Sequence, residues 1–333
     1  MTVDLTTVTP EYAVLHDSRT KIVVKDLEPG QLQHHHGHRF ETLPDLGDLR
    51  SRFATVNDVH FGEVRCGVTS NPDMGPIYTS DEENPHPEFM NRGAIEEIEG
   101  INPDAVLVKG DLTDNGSPAQ YEKFLQFYAG AFAEKLYHQT GNHDAYYSED
   151  IQPGKQICVE LPGVTLAMID TVKPGLTGGT CYDHDLQWLD ELARETTQPV
   201  LVFGHHQVWD PATPYRSADY FGIQPDESEK LIELFSRRAA LRAYLCGHTH
   251  RNRVRRFPVT GDVPWIEVAC VKDFPGSWAE YRVCAQGILQ IHHRISTPEA
   301  LQWSEKTRDM YNGSYFDYAF GKLSDRCLVV TRF

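Results

Sequence analysis

The feature of this sequence that most constrains its fold is a series of short strand-like runs, each of which ends in a cluster of polar residues. The runs have the length of buried strands, and stretches with a helical spacing of apolar residues lie between them. Alternating strands and helices favour an α/β sandwich over an all-α or an all-β fold. The five runs lie at residues 53–57, 105–108, 135–140, 200–203 and 243–246.

Helices are predicted between the strands from capping residues and apolar spacing. The clearest start is where Ser117 is the predicted N-cap, Pro118 takes the first helical position and Gln120 completes a capping box. Asp183 is predicted to cap a later helix. Other helices are expected at about 88–99 and 227–240, and further strands at 164–169, 264–270, 279–284 and 288–294.

The chain divides into three parts, and its 333 residues are enough to bury a sizeable core. Residues 51–295 form the predicted central domain, 1–50 a β-rich N-terminal extension packed on the core, and 296–333 a C-terminal extension. The C-terminal extension is rich in Tyr, Trp and charge, so it either covers the core or mediates self-association, for example as a homodimer. Residues 62–87 are expected to form a long loop, a feature that is usually functional or disordered.

The formal net charge of -17 limits the partners of the protein. Strong negative charge disfavours a nucleic-acid polymer or an anionic membrane surface, so we expect a small-molecule partner. An anionic substrate would be repelled as well, unless bound cations reverse the field locally. The seven scattered cysteines, without a C-x-x-C pair, indicate free thiols in a reducing compartment. No signal peptide or membrane-spanning run is visible, and we expect a cytoplasmic location.

The polar clusters that end the five runs carry the predicted chemistry. The carboxyl ends of strands in an open α/β sheet meet at one rim, so side chains from distant segments are expected to come together there. Each cluster alone is more often a turn or a hydrogen-bonded histidine, but five in order argue for a shared site. Their Asp, Asn and His side chains suit Mn, Fe or Zn. The clusters are Asp58/His60, Asp111/Asp114, Asn142/His143/Asp144, His205/His206 and His248/His250.

The ordered motifs D-x-H, G-D-x-x-D, G-N-H-D, G-H-H and G-H-x-H resemble those of the calcineurin-like metallophosphoesterase superfamily over about 53–270. The resemblance implies a four-layer α/β/β/α sandwich with two mixed sheets. It also implies two bound metal ions drawn from Mn, Fe and Zn, with Mn and Fe favoured. By the same resemblance, a hydroxide that bridges the metals attacks phosphorus.

Site roles follow from the resemblance motif by motif. Asp111 is the carboxylate that bridges both metals, and His143 is the proton donor or transition-state stabiliser, oriented by Asp144. In the G-H-H motif the ligand is His205, which leaves His206 as a neighbour. The first metal is then bound by Asp58, His60, Asp111 and His250, and the second by Asp111, Asn142, His205 and His248.

A finer resemblance narrows the expected reaction. Residues 110–121, and the predicted helix around 186–189, resemble class III cyclic nucleotide phosphodiesterases. Purple acid phosphatases have a metal-binding Tyr where this chain has Asp114, which counts against that branch. The resemblance therefore implies a phosphodiesterase acting on a small phosphoester such as a 3′,5′-cyclic nucleotide. The alternatives are a phosphomonoesterase or nucleotide pyrophosphatase with the same metals, and a metal-free scaffold.

Three further features remain open from the sequence. The histidines within 34–38 form either a solvated turn or a metal site, and no acidic or cysteine partner lies nearby in sequence. Arg251, just after the last motif, is either a phosphate-binding residue or a surface arginine. The loop at 62–87 and the pair Tyr146-Tyr147 are candidates for the pocket above the metals.

Overall fold

The computed structural model describes residues 3–71, 73–146, 155–217 and 219–333. Within these ranges the strands, in chain order, are β1 (Asp4–Val8), β2 (Ala13–His16), β3 (Lys21–Val24), β4 (Leu32–His35), β5 (His38–Glu41), β6 (Leu49–Val56), β7 (Arg65–Cys66), β8 (Tyr78–Thr79), β9 (Ala105–Lys109), β10 (Leu136–Gln139), β11 (Ile157–Leu161), β12 (Val164–Met168), β13 (Val200–Phe203), β14 (Leu241–Cys246), β15 (Arg253–Arg256), β16 (Pro264–Glu267), β17 (Ser277–Cys284), β18 (Gly287–Arg294) and β19 (Leu328–Arg332).

The α-helices of the described ranges flank these strands. Short 3-10 turns occur as well, at Ala133–Lys135, His143–Ala145 and Pro258–Thr260. The α-helices are α1 (His86–Gly100), α2 (Pro118–Phe132), α3 (Asp183–Glu195), α4 (Pro225–Arg237), α5 (Pro298–Thr307), α6 (Tyr315–Phe320) and α7 (Leu323–Arg326).

Two mixed six-stranded sheets organise the fold. The first has the order β10-β9-β6-β17-β18-β19, in which β10, β9 and β6 are parallel and the later pairs are antiparallel. The second has the order β11-β12-β13-β14-β16-β15, with a parallel centre from β12 to β16 and an antiparallel strand at each edge. Each sheet therefore contains parallel strands whose carboxyl ends lie at the same edge. Residues that follow these strands can meet at that edge.

The core lies between the two sheets and on their outer faces. Alternation along β9 sends Leu107 into the cluster shared by both sheets and Val108 into the cluster under α1 and α2. Across the sheet interface the ring of Phe53 packs edge-on against that of Phe203, with centroids 6.0 Å apart. A third cluster packs α3 and α4 on the other face of the second sheet. The predicted four-layer α/β/β/α sandwich is thus confirmed.

The two extensions pack on the first sheet. Strands β1–β3 form a small sheet whose Leu5 and Leu15 pack with Leu289 and Ile291 of β18. After α5, α6 and α7, strand β19 pairs antiparallel with β18. The C-terminal extension therefore supplies the edge strand of the first sheet and is part of the core, as the first of its two sequence-based alternatives described.

Several local predictions need correction. Ser117 Oγ accepts from the Gln120 backbone N–H at 3.4 Å, but Gln120 Oε1 accepts from the Asn115 N–H at 3.1 Å, so the capping box is only half formed. Asp183 does not cap α3, because Tyr182 takes that position and the Asp183 carboxylate pairs with Lys230 at 2.9 Å. Strands β11 and β15 were not predicted, and the strand expected at 264–270 ends at 267. The loop at 62–87 contains the short strands β7 and β8.

The histidine tract forms the tip of the β4–β5 hairpin. His36 and Gly37 make the turn with φ values of 50° and 82°, and His38 Nε2 lies 2.6 Å from the carbonyl oxygen of Val3. No residue of 34–38 falls in a group with metal-ligand spacing among the described residues. The seven cysteines all lie in the described ranges and form no disulfide. None of the described helices has both the length and the apolar character to cross a membrane.

Candidate metal centre

The five polar clusters meet at the carboxyl ends of β6, β9 and β10 of the first sheet and of β13 and β14 of the second. Backbone contacts join the strand ends: the Asp58 N–H donates to Gly110 O at 3.1 Å, and the Gly247 N–H donates to His205 O at 3.0 Å. Other contacts cross between the sheets, such as that from the His248 N–H to Asp58 Oδ1 at 3.0 Å. The predicted rim therefore exists, and it is built from both sheets.

Five of the candidate ligands have a strained backbone. Non-glycine residues rarely adopt positive φ, and such strain persists only where the surroundings enforce it. Close packing of the turns is the visible cause: a Cβ added at Gly141 would lie 2.2 Å from the Asp111 nitrogen, and one at Gly247 2.7 Å from Asp58 Oδ2. The strained ligands, with their φ values, are Asp58 (54°), His60 (47°), Asp111 (48°), His248 (66°) and His250 (53°).

The first ligand group comprises Asp58, His60, Asp111 and His250. Their donor atoms all lie within 4.8 Å of one another. His60 Nε2 is 3.3 Å from Asp111 Oδ2, and His250 Nε2 is 3.5 Å from Asp58 Oδ1. The His60 ring is 1% exposed, and both of its nitrogens face carboxylates at 3.3 Å without forming a hydrogen bond, Nδ1 that of Glu63 and Nε2 that of Asp111. Because buried polar atoms are normally satisfied, this ring fits the role of a metal ligand.

The second ligand group comprises Asp111, Asn142, His205 and His248. His205 Nε2 lies 3.3 Å from Asp111 Oδ1 and 3.0 Å from Asn142 Oδ1. The Asn142 side-chain nitrogen donates to Tyr146 Oη at 2.6 Å, which turns Oδ1 towards His205. Asp111 therefore directs Oδ2 to the first group and Oδ1 to the second, as a bridging carboxylate would.

Outer contacts leave one nitrogen of each histidine free for a metal. A carbonyl oxygen only accepts, so His205 Nδ1, 2.7 Å from Lys109 O, carries a hydrogen and leaves Nε2 free. His248 Nε2 likewise lies 2.7 Å from Phe221 O and leaves Nδ1 free. In the first group the outward Nδ1 atoms of His60 and His250 face carboxylates instead of carbonyl oxygens.

The charges of the site call for cations. Burial would raise the pKa of Asp58, but His250 outweighs it and lowers that pKa to about 2. Burial also opposes ionisation of Asp111, and the neighbouring His205 and His143 nevertheless hold its pKa well below the usual value. Burial lowers the pKa of His205, yet Asp111 reverses the effect and raises it to about 9. Buried carboxylates that draw protons onto their histidines are suited to metal ions, which take the place of those protons.

His206 is a neighbour of the second group. Its Nδ1 lies 2.8 Å from Thr171 Oγ1 and its Nε2 3.2 Å from Thr177 O, so both nitrogens have protein partners. Its ring nevertheless comes within 4.8 Å of the donor atoms of His205 and His248. The contacts therefore favour His205 as the ligand, in line with the motif-based expectation.

The two adjacent histidines make a matched pair of variants. We expect His205→Ala to lower the bound Mn²⁺ from about two ions per chain to about one, because it removes the imidazole that lies 3.3 Å from Asp111 Oδ1. His206→Ala is expected to retain both ions, because its nitrogens are committed to Thr171 and Thr177. Metal analysis of Mn²⁺-loaded, gel-filtered protein measures this, and loss of an ion from the His206 variant alone would reverse the assignment.

His143 and Asp144 do not form the expected pair. The Asp144 carboxylate accepts from the backbone N–H groups of Gly141 and Thr113, at 2.7 and 2.8 Å, and from that of Leu112 at 3.0 Å. It thus fixes the loop that carries Asp111. His143 Nδ1 instead lies 2.8 Å from the carbonyl oxygen of Asp114, so Nδ1 carries a hydrogen.

A cavity of about 590 Å³ opens over the two ligand groups and is here named the rim cavity. Its floor includes Asp111, Asn142, His143, His248 and His250. The walls of the rim cavity include residues of the 62–87 loop, of the segment after the G-N-H-D motif, of the loops before α3 and α4, of the G-H-x-H motif and of the C-terminal extension. The wall residues are Met74, Tyr146, Thr177, Phe221, Thr249, Tyr311, Ser314, Tyr315 and Tyr318.

The sequence did not predict part of this site, and it left the role of Arg251 open. No sequence motif predicts the aromatic residues that the C-terminal extension contributes to the cavity wall. The same holds for Glu63 and Asp273, whose carboxylates lie beside the Nδ1 atoms of His60 and His250. Arg251 does not reach the rim cavity, because its guanidinium pairs with Glu267 at 2.9 Å. Tyr146 lines the cavity as expected, and Tyr147 lies outside the described residues.

A sequence model of calcineurin-like phosphoesterases matches residues 51–252. The chain belongs to this family. The expected family membership is thereby confirmed, and the ligand groups described above are consistent with the metal dependence of the family.

Curated relatives are similar over about half of the chain. The glycerophosphodiester phosphodiesterase GpdQ of Enterobacter lignolyticus is 29% identical over 178 residues, which cover 48% of this chain and 61% of that protein. A cAMP/cGMP dual specificity phosphodiesterase of Mycobacterium tuberculosis is 27% identical over 168 residues, 45% of this chain and 50% of that one. The matches thus span only half to three fifths of the length of these two relatives.

Solved structures share the fold. A dimetal phosphatase from Danio rerio superposes with a TM-score of 0.58 at 14% identity, over 74% of this chain and 98% of that one. The purple acid phosphatase PPD1 from yellow lupin seeds gives a TM-score of 0.51 at 12% identity, over 84% of this chain and 60% of that one. At these identities the similarity concerns the architecture alone.

Proposed function

We propose that the protein is a binuclear metal-dependent phosphodiesterase that hydrolyses a small phosphodiester, such as a 3′,5′-cyclic nucleotide. The observation that carries the proposal is the position of Asp111, whose two carboxylate oxygens face the histidines of the two ligand groups at 3.3 Å each. The relatives named as phosphodiesterases support the same reaction. The seven unpaired cysteines support a reducing, cytoplasmic location.

The residues of the site would hold two metal ions drawn from Mn, Fe and Zn, because carboxylate, amide and imidazole donors suit these metals, and the family resemblance favours Mn and Fe. When bound, such a pair supplies Lewis-acid activation of water and neutralises charge on the phosphoryl oxygens. The protein's part is to orient these ions through fixed side chains. Asp144 contributes by fixing the loop that carries Asp111.

His143 is placed to act on the leaving group. It lines the rim cavity, and its backbone N–H donates to Asp111 Oδ1 at 2.9 Å. With Nδ1 committed to Asp114 O, Nε2 is the nitrogen that can donate a proton or a hydrogen bond to the leaving oxygen. This help matters most for a diester, because an alkoxide is a poor leaving group.

The walls of the rim cavity favour a substrate with a planar group. Tyr146, Phe221, Tyr311, Tyr315 and Tyr318 contribute aromatic rings, and ring faces pack well on planar partners. The volume of about 590 Å³ is in the range of small-molecule sites. A nucleoside phosphodiester combines both requirements, a base for the walls and a phosphate for the metals.

The proposal is tested with protein stripped of metal and reloaded with Mn²⁺. Initial rates are compared on bis(p-nitrophenyl) phosphate and p-nitrophenyl phosphate, followed by 3′,5′-cyclic nucleotides. We expect a metal-dependent preference for the diester and hydrolysis of at least one cyclic nucleotide. Monoester preference would point to a phosphomonoesterase. Absence of turnover with two metals bound would point to a pyrophosphate substrate or a scaffold.

A further inference from the structure

The outer contacts of the two ligand groups differ in charge. In the second group the outward nitrogens of His205 and His248 rest on the backbone carbonyl oxygens of Lys109 and Phe221, each at 2.7 Å. These partners are neutral and belong to the main chain. They are therefore insensitive to side-chain charge nearby.

In the first group the partners are buried carboxylates. His60 Nδ1 lies 3.3 Å from Glu63 Oε2, and His250 Nδ1 lies 3.8 Å from Asp273 Oδ2. Glu63 is 8% exposed and Asp273 2%. A carboxylate behind a metal-binding histidine orients the ring and increases the electron density on the nitrogen that binds the metal.

A single lysine joins these two carboxylates. Lys272 Nζ lies 2.8 Å from Glu63 Oε1 and 3.1 Å from Asp273 Oδ2, and the residue is 5% exposed. Glu63 follows β6, whereas Lys272 and Asp273 precede β17, so the pairing ties two distant segments behind the metal centre. A buried charge is stable only when it is paired, and here one ammonium group pairs with both carboxylates.

The ammonium group also explains a neighbouring cluster. Glu63, Cys66 and His86 have the spacing of a third metal site, with donor atoms within 4.8 Å of one another. Lys272 Nζ, however, lies 2.8 Å from Glu63 Oε1 and 3.7 Å from Cys66 Sγ. The ammonium group of Lys272 therefore takes the position of a cation in this cluster, and Cys66 and His86 contact the Glu63 carboxylate from other sides.

We propose that Lys272 is a positioning residue that sets the metal affinity of the first ligand group, acting through Glu63 and Asp273. Its ammonium group holds each carboxylate against the outward nitrogen of a histidine ligand. Without it, two buried carboxylates lose their shared partner and move away from these rings or towards other donors. In the second ligand group the outward histidine nitrogens contact backbone carbonyl oxygens instead, so this group is the internal control. The inference rests on the binuclear metal centre of the proposed function.

The test isolates each metal position in turn. His205→Ala leaves only the first position intact, and His250→Ala leaves only the second. Lys272→Met is added to each background, and Mn²⁺ binding to metal-free protein is titrated by calorimetry and by the electron paramagnetic resonance signal of free Mn²⁺. We expect Lys272→Met to weaken binding by about 10–100-fold in the His205→Ala background, the usual effect of losing an outer partner of a metal ligand. Binding in the His250→Ala background is expected to change by less than about threefold.

A second variant keeps the test decisive if Lys272→Met fails to fold. Glu63→Gln removes the charge of one carboxylate and leaves the lysine in place, and it should weaken the first position selectively as well. Combining it with Lys272→Met should cost less than the sum of the two single effects, because both act through one contact. Equal losses at both positions, or no loss at the first, would overturn the role of Lys272. Failure of the folded parent protein to bind Mn²⁺ at all would overturn the metal centre itself.

Discussion

Asp111→Asn is expected to lower metal-dependent phosphodiester turnover by at least about 10³-fold, since it disables the electrostatic contribution of the whole metal pair. The reason is geometric: Oδ2 faces His60 and Oδ1 faces His205, and an amide offers only one oxygen where the carboxylate offers two. The amide nitrogen also places a donor beside a cation. We expect the variant to retain at most about one Mn²⁺ per chain.

The measurement pairs initial rates with metal analysis of the same sample. Asp183→Asn is the matched control, because the same chemical change is made at an exposed carboxylate that pairs with Lys230 on the surface. Circular dichroism verifies that both variants are folded. Full metal content and full turnover in the Asp111 variant would contradict the bridging role.

His143→Ala is expected to reduce diester turnover by about 10²–10⁴-fold while metal content stays the same, the usual range for loss of a general acid or base. The ring supplies no donor atom to either ligand group, and its Nδ1 is held by Asp114 O. Its contribution therefore falls on the leaving oxygen, and a larger loss is expected for substrates that expel an alkoxide than for those that expel p-nitrophenolate.

The test compares the turnover of one alkyl phosphodiester, which expels an alkoxide, with that of one aryl phosphodiester, which expels a phenolate. His184→Ala is the control, because His184 lies on the surface of α3 with a side chain that is 71% exposed. Undiminished turnover by the His143 variant would remove this residue from the mechanism. An equal loss for both leaving groups would assign it to phosphate binding instead of proton donation.

The α/β class of the fold and the meeting of the five clusters were predictable from the sequence, whereas its four layers were implied by the family resemblance. Apolar residues on both faces of a run such as β9 require cover on both sides, and parallel strands put their carboxyl ends at one edge. Local signals also located most strands and α-helices of the central domain to within a few residues. They failed where the chain offers a side chain several partners, as at Gln120, whose side-chain oxygen accepts from the Asn115 N–H instead of the Ser117 N–H.

The surroundings of the site were not accessible in this way. Asp144 follows His143 directly in sequence. Its carboxylate nevertheless does not orient the His143 ring, because it accepts hydrogen bonds from the backbone N–H groups of residues 112, 113 and 141. The aromatic wall from Tyr311 to Tyr318 comes from the far end of the chain. Nothing in the local sequence distinguishes those tyrosines from ordinary core residues.

The sequence by itself determined the family, the layered sandwich and the residue types that gather at the rim, because periodicity and short motifs are local properties of the chain. Only the tertiary structure decided which oxygen of Asp111 faces which histidine, and which groups lie behind those histidines. Lys272 and Glu63 are 209 residues apart in sequence and 2.8 Å apart in space. Such a contact depends on how two segments pack in three dimensions, and no local pattern encodes it.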